Sequence, residues 1–256
     1  MIRICFAFAI ALSLAVHPAI AQEKLERFAP DQSVLFSPPP DGAIVLFDGR
    51  TNLFLSKNGK PANWPIVDGC LVSSSDGSNT NHVVSQWHFQ DADIHVEFAT
   101  DPKSEGNSGI YIHGNYELQI YDSFGAATLS DHDEGAIYGF HKPTVNASRK
   151  TGEWQVYDIR FLAPRRNEIG KITKSGSITA WLNGQLVQDN SRFEEPRSVY
   201  HPFRYGSTAY LDGISHRQQG TRIAPVFLQD HGSPTRFRNV WLKPLDSQAI
   251  RYEDRP

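Results

Sequence analysis

The chain has 256 residues, 25 basic and 28 acidic, for a net charge of −3 with histidine neutral. That balance, with no basic stripe, argues against a nucleic-acid partner. Its two cysteines, Cys5 and Cys70, are too few for a disulfide framework, so stability must come from a core, which a chain of this length can bury.

Residues 1–21 read as a secretory signal. Arg3 supplies the positive end, residues 4–16 the apolar stretch, and Ala19-Ile20-Ala21 a small-x-small cleavage site before Gln22. The stretch is too short to span a bilayer. The mature chain is therefore expected in the periplasm or the medium, without membrane insertion. Cys5 lies inside the segment, so no cysteine stands at a lipoprotein position, and Cys70 is left alone. Residues 22–42, with Pro38-Pro39-Pro40, read as an irregular lead-in. The domain is expected over 43–246, with a loose polar tail after it.

Within the domain, short alternating runs predict strands over 43–47, 70–73, 82–85, 94–99, 109–113, 116–122, 136–139, 154–162, 177–182, 185–188, 226–229 and 235–242. Gly, Pro, Asn and Asp clusters separate them. Asn183-Gly184 is the strongest hairpin signal. No window of helical length keeps an apolar stripe at 3.6 spacing. Many short strands without intervening helices predict an all-β fold of two packed antiparallel sheets, a jelly-roll sandwich with one concave face. The long polar stretch 190–220 reads as a rim or lid over that face.

The segment Asn107 to Ser123, NSGIYIHGNYELQIYDS, is the most informative. Ile110 and Ile112, then Leu118 and Ile120, are the apolar partners on one face. Side chains alternate along a strand. The opposite face therefore carries Gly109, Tyr111, His113, Glu117, Gln119 and Tyr121, a mixed polar surface suited to sugars. A two-residue loop at Gly114-Asn115 would set Ile112 against Glu117. An odd loop or a bulge puts Ile112 opposite Tyr116 and Ile110 opposite Leu118. That register sets Tyr111 beside Glu117 and Gly109 beside Gln119, leaving a pit over Gly109. The same residues also suit an ordinary solvated sheet face.

Several motifs together resemble the 3-keto-disaccharide hydrolase domain family. They are Leu46-Phe47-Asp48-Gly49 with Trp64 and Val67-Asp68-Gly69; Asn107-Ser108-Gly109-Ile110-Tyr111; Tyr116-Glu117-Leu118-Gln119-Ile120-Tyr121-Asp122-Ser123; and Gly135-Ala136-Ile137-Tyr138-Gly139. Gly152-Glu153-Trp154, Leu182-Asn183-Gly184, Leu228-Gln229-Asp230-His231-Gly232 and Arg236-Phe237-Arg238-Asn239-Val240 follow in the family's order. Two stretches depart from it: Ile112-His113, where many members carry Arg, and Ala224-Pro225, where many carry Gly. The resemblance implies a concanavalin-like jelly roll, export from a bacterium and action on glycosides oxidised to a ketone at carbon 3. Such a ketone acidifies the hydrogen on carbon 2. A base removes it, the aglycone leaves carbon 1, and water adds. The site needs a base, a stabiliser for the enolate oxygen and a donor to the leaving group.

Glu117 is the first candidate for the base, or for a metal ligand, with a carboxylate paired to an Arg as the plainer role. His231 is the second catalytic candidate, since imidazole moves protons near neutral pH; it also suits a turn. Tyr111, His113 and Gln119 are expected sugar contacts, with Asp230 placed less firmly beside them. Arg238 is read as a partner of Glu117 or of the ketone oxygen, or as a surface residue. Trp154 is read as a sugar platform or as core. Asp122 is read as a turn former or a ligand of a structural cation. No HExxH, phosphate loop or GxSxG elbow is present. No cofactor is therefore expected with certainty, and a divalent metal stays open. The competing readings are a non-catalytic carbohydrate-binding module on the same sheet and a laminarinase-type hydrolase. The latter lacks its Glu-x-Asp-x-x-Glu strand.

Overall fold

A computed structural model describes residues 25–74, 80–194, 201–203, 207–245 and 248–252. The expected signal segment lies outside them. The chain runs through β1 (Ile44–Phe47), β2 (Phe54–Ser56), β3 (Ile66–Val67), β4 (Cys70–Val72), β5 (Val83–Ser85), β6 (Trp87–Phe89), β7 (Ala92–Ala99), β8 (Ser108–Ile112) and β9 (Tyr116–Ile120). It continues through β10 (Gln155–Leu162), β11 (Arg165–Arg166), β12 (Ile172–Lys174), β13 (Gly176–Leu182) and β14 (Gln185–Phe193). Helix α1 (Ala209–Thr221), β15 (Val226–Leu228), β16 (Arg236–Pro244) and β17 (Ala249–Arg251) complete it.

Two antiparallel sheets face each other in a jelly-roll sandwich. The larger has the order β14-β13-β10-β7-β16-β4-β3, with β1 also paired to β16; the smaller has the order β2-β5-β15-β8-β9. Alternation drives the layering. Ile94, Val96 and Phe98 of β7 and Tyr157, Ile159 and Phe161 of β10 point inward, against Ile110, Ile112, Leu118, Ile120, Val226 and Leu228 of the smaller sheet. Fully burying such a side chain is worth about 1.5–3 kcal/mol.

Three expectations are corrected. Residues 136–139 form no strand, only isolated bridges of Ile137 to Leu118 of β9 and to His141. The expected loop at 190–220 contains α1. Thr208 caps it, accepting from Leu211 N–H, and Arg222 closes it at φ 60°. The described part of the tail, 248–252, is not loose: β17 pairs with β6 and Tyr252 is buried. The lead-in has no regular structure over 25–40, yet it is tied to the outer face of the larger sheet. Gln32 reaches Asp158, Phe36 N–H donates to Glu97, and Asn239 donates to the Ser37 carbonyl.

The outer face of the smaller sheet is divided. Tyr210, Leu211 and Ile214 of α1, with Tyr252, cover Val84, Tyr111 and Phe227 in a second apolar cluster. The part beyond that cover is polar.

Candidate active site

The β8–β9 hairpin has the register expected from its alternation. Gly109 faces Gln119, Ile110 faces Leu118, Tyr111 faces Glu117 and Ile112 faces Tyr116. The loop is odd, with His113 at φ 59° and Gly114 at φ 61°, and Asn115 N–H closing on the Ile112 carbonyl at 3.1 Å. Glu117 and Gln119 therefore share the outer face with Tyr111 and Gly109.

The pit over Gly109 holds the carboxyl of Glu117. A Cβ placed on Gly109 would lie 2.1 Å from Glu117 Oε1, so only glycine leaves this space. Glu117 is 2% exposed. Burial raises its pKa to about 8, although hydrogen bonds from Tyr111 and Gln229 pull the other way. Tyr111, whose own pKa burial pushes well up, also accepts from Gln229 Nε2 at 2.5 Å. Burial thus disfavours the charged form of Glu117 near neutral pH and makes its carboxylate, once ionised, a stronger base than an ordinary one.

Two amides flank it. Gln229 follows β15, and its N–H donates to the Gly109 carbonyl at 2.9 Å. Ser108 Oγ holds the Gln229 carbonyl at 2.8 Å. Gln119 Nε2 reaches the His132 carbonyl at 3.3 Å. Glu117 Oε1, Gln119 Oε1 and Gln229 Oε1 are buried oxygens without hydrogen-bond partners. Orphaned acceptors of this kind are costly, and they suit a ligand rich in hydroxyl donors. An oxygen-only set also suits a hard cation, but no group of three or more His, Cys, Asp or Glu is placed to hold a metal among the described residues.

The remaining expected residues divide. His231 is exposed just beyond the end of β15. Asp230 is 1% exposed and occupied: its carboxylate accepts from Asn81 N–H at 3.3 Å and Gly232 N–H at 3.0 Å, so it shapes the loop. His113 is corrected. The left-handed turn swings it off the Tyr111 face, where its Nε2 meets the Phe89 carbonyl at 2.7 Å and its ring packs on Phe161. Burial lowers its pKa to about 3. Arg238 and Trp154 are corrected as well. Arg238 belongs to the larger sheet, donates to Glu97 at 2.8 Å and lies 3.8 Å from the Trp154 ring centre. Neither meets Glu117. Gln229 was missed as a neighbour of Glu117. Gln229 had a detectable signal, since it lies two positions beyond Phe227 on the Tyr111 face, but the pairing of β15 with β8 is needed to use it.

A family model described as 3-keto-alpha-glucoside-1,2-lyase-like domain matches residues 42–243. Two solved structures of candidate glycosyl hydrolases from Parabacteroides distasonis ATCC 8503 are similar. One is 28% identical with a TM-score of 0.65, covering 90% of this chain and 98% of that one. The other is 21% identical with a TM-score of 0.54, covering 80% and 95%, and shows likeness of fold alone. No curated protein matches.

Proposed function

The chain belongs to the 3-keto-alpha-glucoside-1,2-lyase-like family, a carbohydrate-active group, and on that premise we propose that it cleaves glycosides bearing a ketone at carbon 3. Glu117 takes the proton from carbon 2. The electron pair left there forms the C1=C2 bond as the C1–O bond breaks and the aglycone oxygen departs with its pair. His231, at the exposed end of β15, supplies a proton to that oxygen. Water then adds at carbon 1 while carbon 2 regains a proton, which gives net hydrolysis. Gln119 and Gln229 accept from sugar hydroxyls, and Tyr111 holds the Glu117 carboxyl. The observation that carries this reading is a carboxyl of raised pKa seated in a glycine pit beside two unmatched amide oxygens. A binding module would gain nothing from a buried acid poised near neutral pH. The carboxyl is enclosed at rest, so its cover must open when substrate enters.

The test compares a disaccharide with its 3-keto form. Release from the keto form only, abolished by Glu117→Gln in a folded variant, is the expected result. Binding of both without release would establish a binding module instead. The 1–21 segment further supports export, for which the expected mass is that of a chain starting at Gln22. Among the described residues no helix is long and apolar enough to cross a membrane.

A further inference from the structure

The outer face of the larger sheet lies across the sandwich from Glu117. The lead-in closes its middle, but at the β13–β14 edge a groove of about 290 Å³ stays open between residues 25–28 and the two strands. Ordinary small-molecule sites run to roughly 300–1,000 Å³, so this one has room for a single sugar ring.

Alternation makes the floor. Ile178, Ala180 and Leu182 of β13 point into the core, so Ser177, Thr179 and Trp181 face outward and line the groove. Trp181 is half-buried and pairs with Leu186 of β14, which also lines it. A bulge makes the polar rim. Ile178 faces Ser191 and Ala180 faces Gln188, so Asp189 and Asn190 together oppose Thr179. Asn190 takes φ 50°, and its N–H donates to Thr179 Oγ1 at 3.1 Å. Adjacent residues of a regular strand point to opposite faces; the bulge re-aims one of them, and both Asp189 and Asn190 line the groove. The opposite wall is anchored too. Arg160 is held by Asp93 through two contacts of 2.7 Å. It donates to the Glu26 carbonyl at 2.6 Å and lies 4.7 Å from the Phe28 ring centre.

We propose that this groove is a second carbohydrate-binding site, which takes one neutral pyranose ring against Trp181 with its hydroxyls on Asp189 and Asn190. The side chains of Asp189 and Asn190 are exposed and have no hydrogen-bond partner among the described residues. A carboxylate accepts from neighbouring hydroxyls, and an amide both donates and accepts. An aromatic and aliphatic floor suits the C–H face of the ring. Arg27 stands against Glu26 and Asp189 on the rim, so the groove does not select a phosphate or a polyanion. No bond is made or broken there. The site lies on the other sheet from Glu117 and holds a sugar whether or not the elimination reading is correct.

The test uses the full chain labelled with fluorotryptophan, with cellobiose and maltose as probes. The Trp181 fluorine signal is identified by its absence in Trp181→Phe. One of the two sugars is expected to shift it saturably, with half-saturation at about 1–10 mM for a ring buried on one side. Asp189→Ala is expected to weaken that binding about tenfold, the loss of a hydrogen bond to a charged group, while cleavage of a 3-keto-disaccharide stays unchanged. A folded Glu117→Gln variant is expected to keep the shift. A Trp181 signal that neither sugar moves overturns the proposal, as does loss of the shift in Glu117→Gln, which would place the sugar on the smaller sheet. If Trp181→Phe does not fold, calorimetry on Asp189→Ala and Asn190→Ala decides, and wild-type affinity in both overturns it. Failure of the wild-type protein to cleave any keto sugar overturns the elimination reading and leaves this site standing.

Discussion

Gly109 sets the position of the Glu117 carboxyl by what it lacks. Any Cβ there collides with Oε1 and must push the base out of its pit. Gly109→Ala should lower kcat by about 100-fold or more, since a positioned base contributes on the order of 100- to 10,000-fold. Activity retained within about fivefold would show that the pit does not place the base. The acid has a second signature. Burial holds the Glu117 pKa at about 8, and the base works only when deprotonated. The kcat/KM of wild type should therefore climb with pH, reach half its plateau near 8 and level off about a unit above it. A profile flat from 6 to 9 would show that another group removes the proton. The alternation of 107–121 made this constellation legible, because period two sorts side chains to faces without any tertiary knowledge. His113 escaped the same rule, because its positive φ breaks the alternation at the turn.

At the scale of elements, the hairpin was legible and the helix was not. In α1 the apolar residues Tyr210, Leu211 and Ile214 make a narrow stripe interrupted by Gly213, and Gly220 follows near the C-terminal end. Local propensity is weak there. What holds the helix is its burial over Tyr111, Val84 and Phe227, a long-range contact no window can register. The Thr208 cap matters accordingly. It accepts from Leu211 N–H and donates to the Lys57 carbonyl, which ties the helix to β2. Thr208→Ala should cost about 1 kcal/mol and speed hydrogen exchange in 209–221 more than in the strands. Uniform loss of protection over the whole chain would mean that the helix is not a separate unit. Arg238 and Trp154 failed for a related reason. Period two gave the face of Arg238 correctly, but which sheet that face belongs to depends on the strand order, in which β16 pairs with β7.

Over the whole molecule, each sheet carries a polar outer face, and the two serve different ends. The face of the smaller sheet keeps oxygens unmatched. At the middle of the larger sheet the charges are matched. His95 lies 2.7 Å from Asp158 and 3.6 Å from Glu97, stacks on Trp241, and is covered by the lead-in through Gln32 and Phe36. Burial alone would lower the His95 pKa, but hydrogen bonds to Asp158 and Glu97 outweigh it and raise it to about 9. Burial likewise opposes ionisation of Glu97, and hydrogen bonds from His95, Asn239, Arg238 and Phe36 N–H bring it down to about 2. The signs can be worked out. His95 is raised when folded, so its contribution is complete below the unfolded pKa of about 6.5 and is lost as pH rises through 9. Glu97 is lowered when folded, so its contribution is complete above about 4.3 and is lost as pH falls through 2. The network therefore supports the fold most fully between about pH 4.3 and 6.5. The thermal midpoint of wild type should decline between pH 7 and 9.5, and His95→Gln, which has no proton to lose, should decline less over that interval. Glu117 and Glu134, both raised to about 8 by burial, also withdraw stability as pH rises from about 4.3 to about 8, where the loss is complete. The comparison must therefore be made as a difference between variant and wild type at each pH. A difference that does not change with pH would mean that His95 is neutral in the folded chain and that the lead-in is held by its uncharged hydrogen bonds.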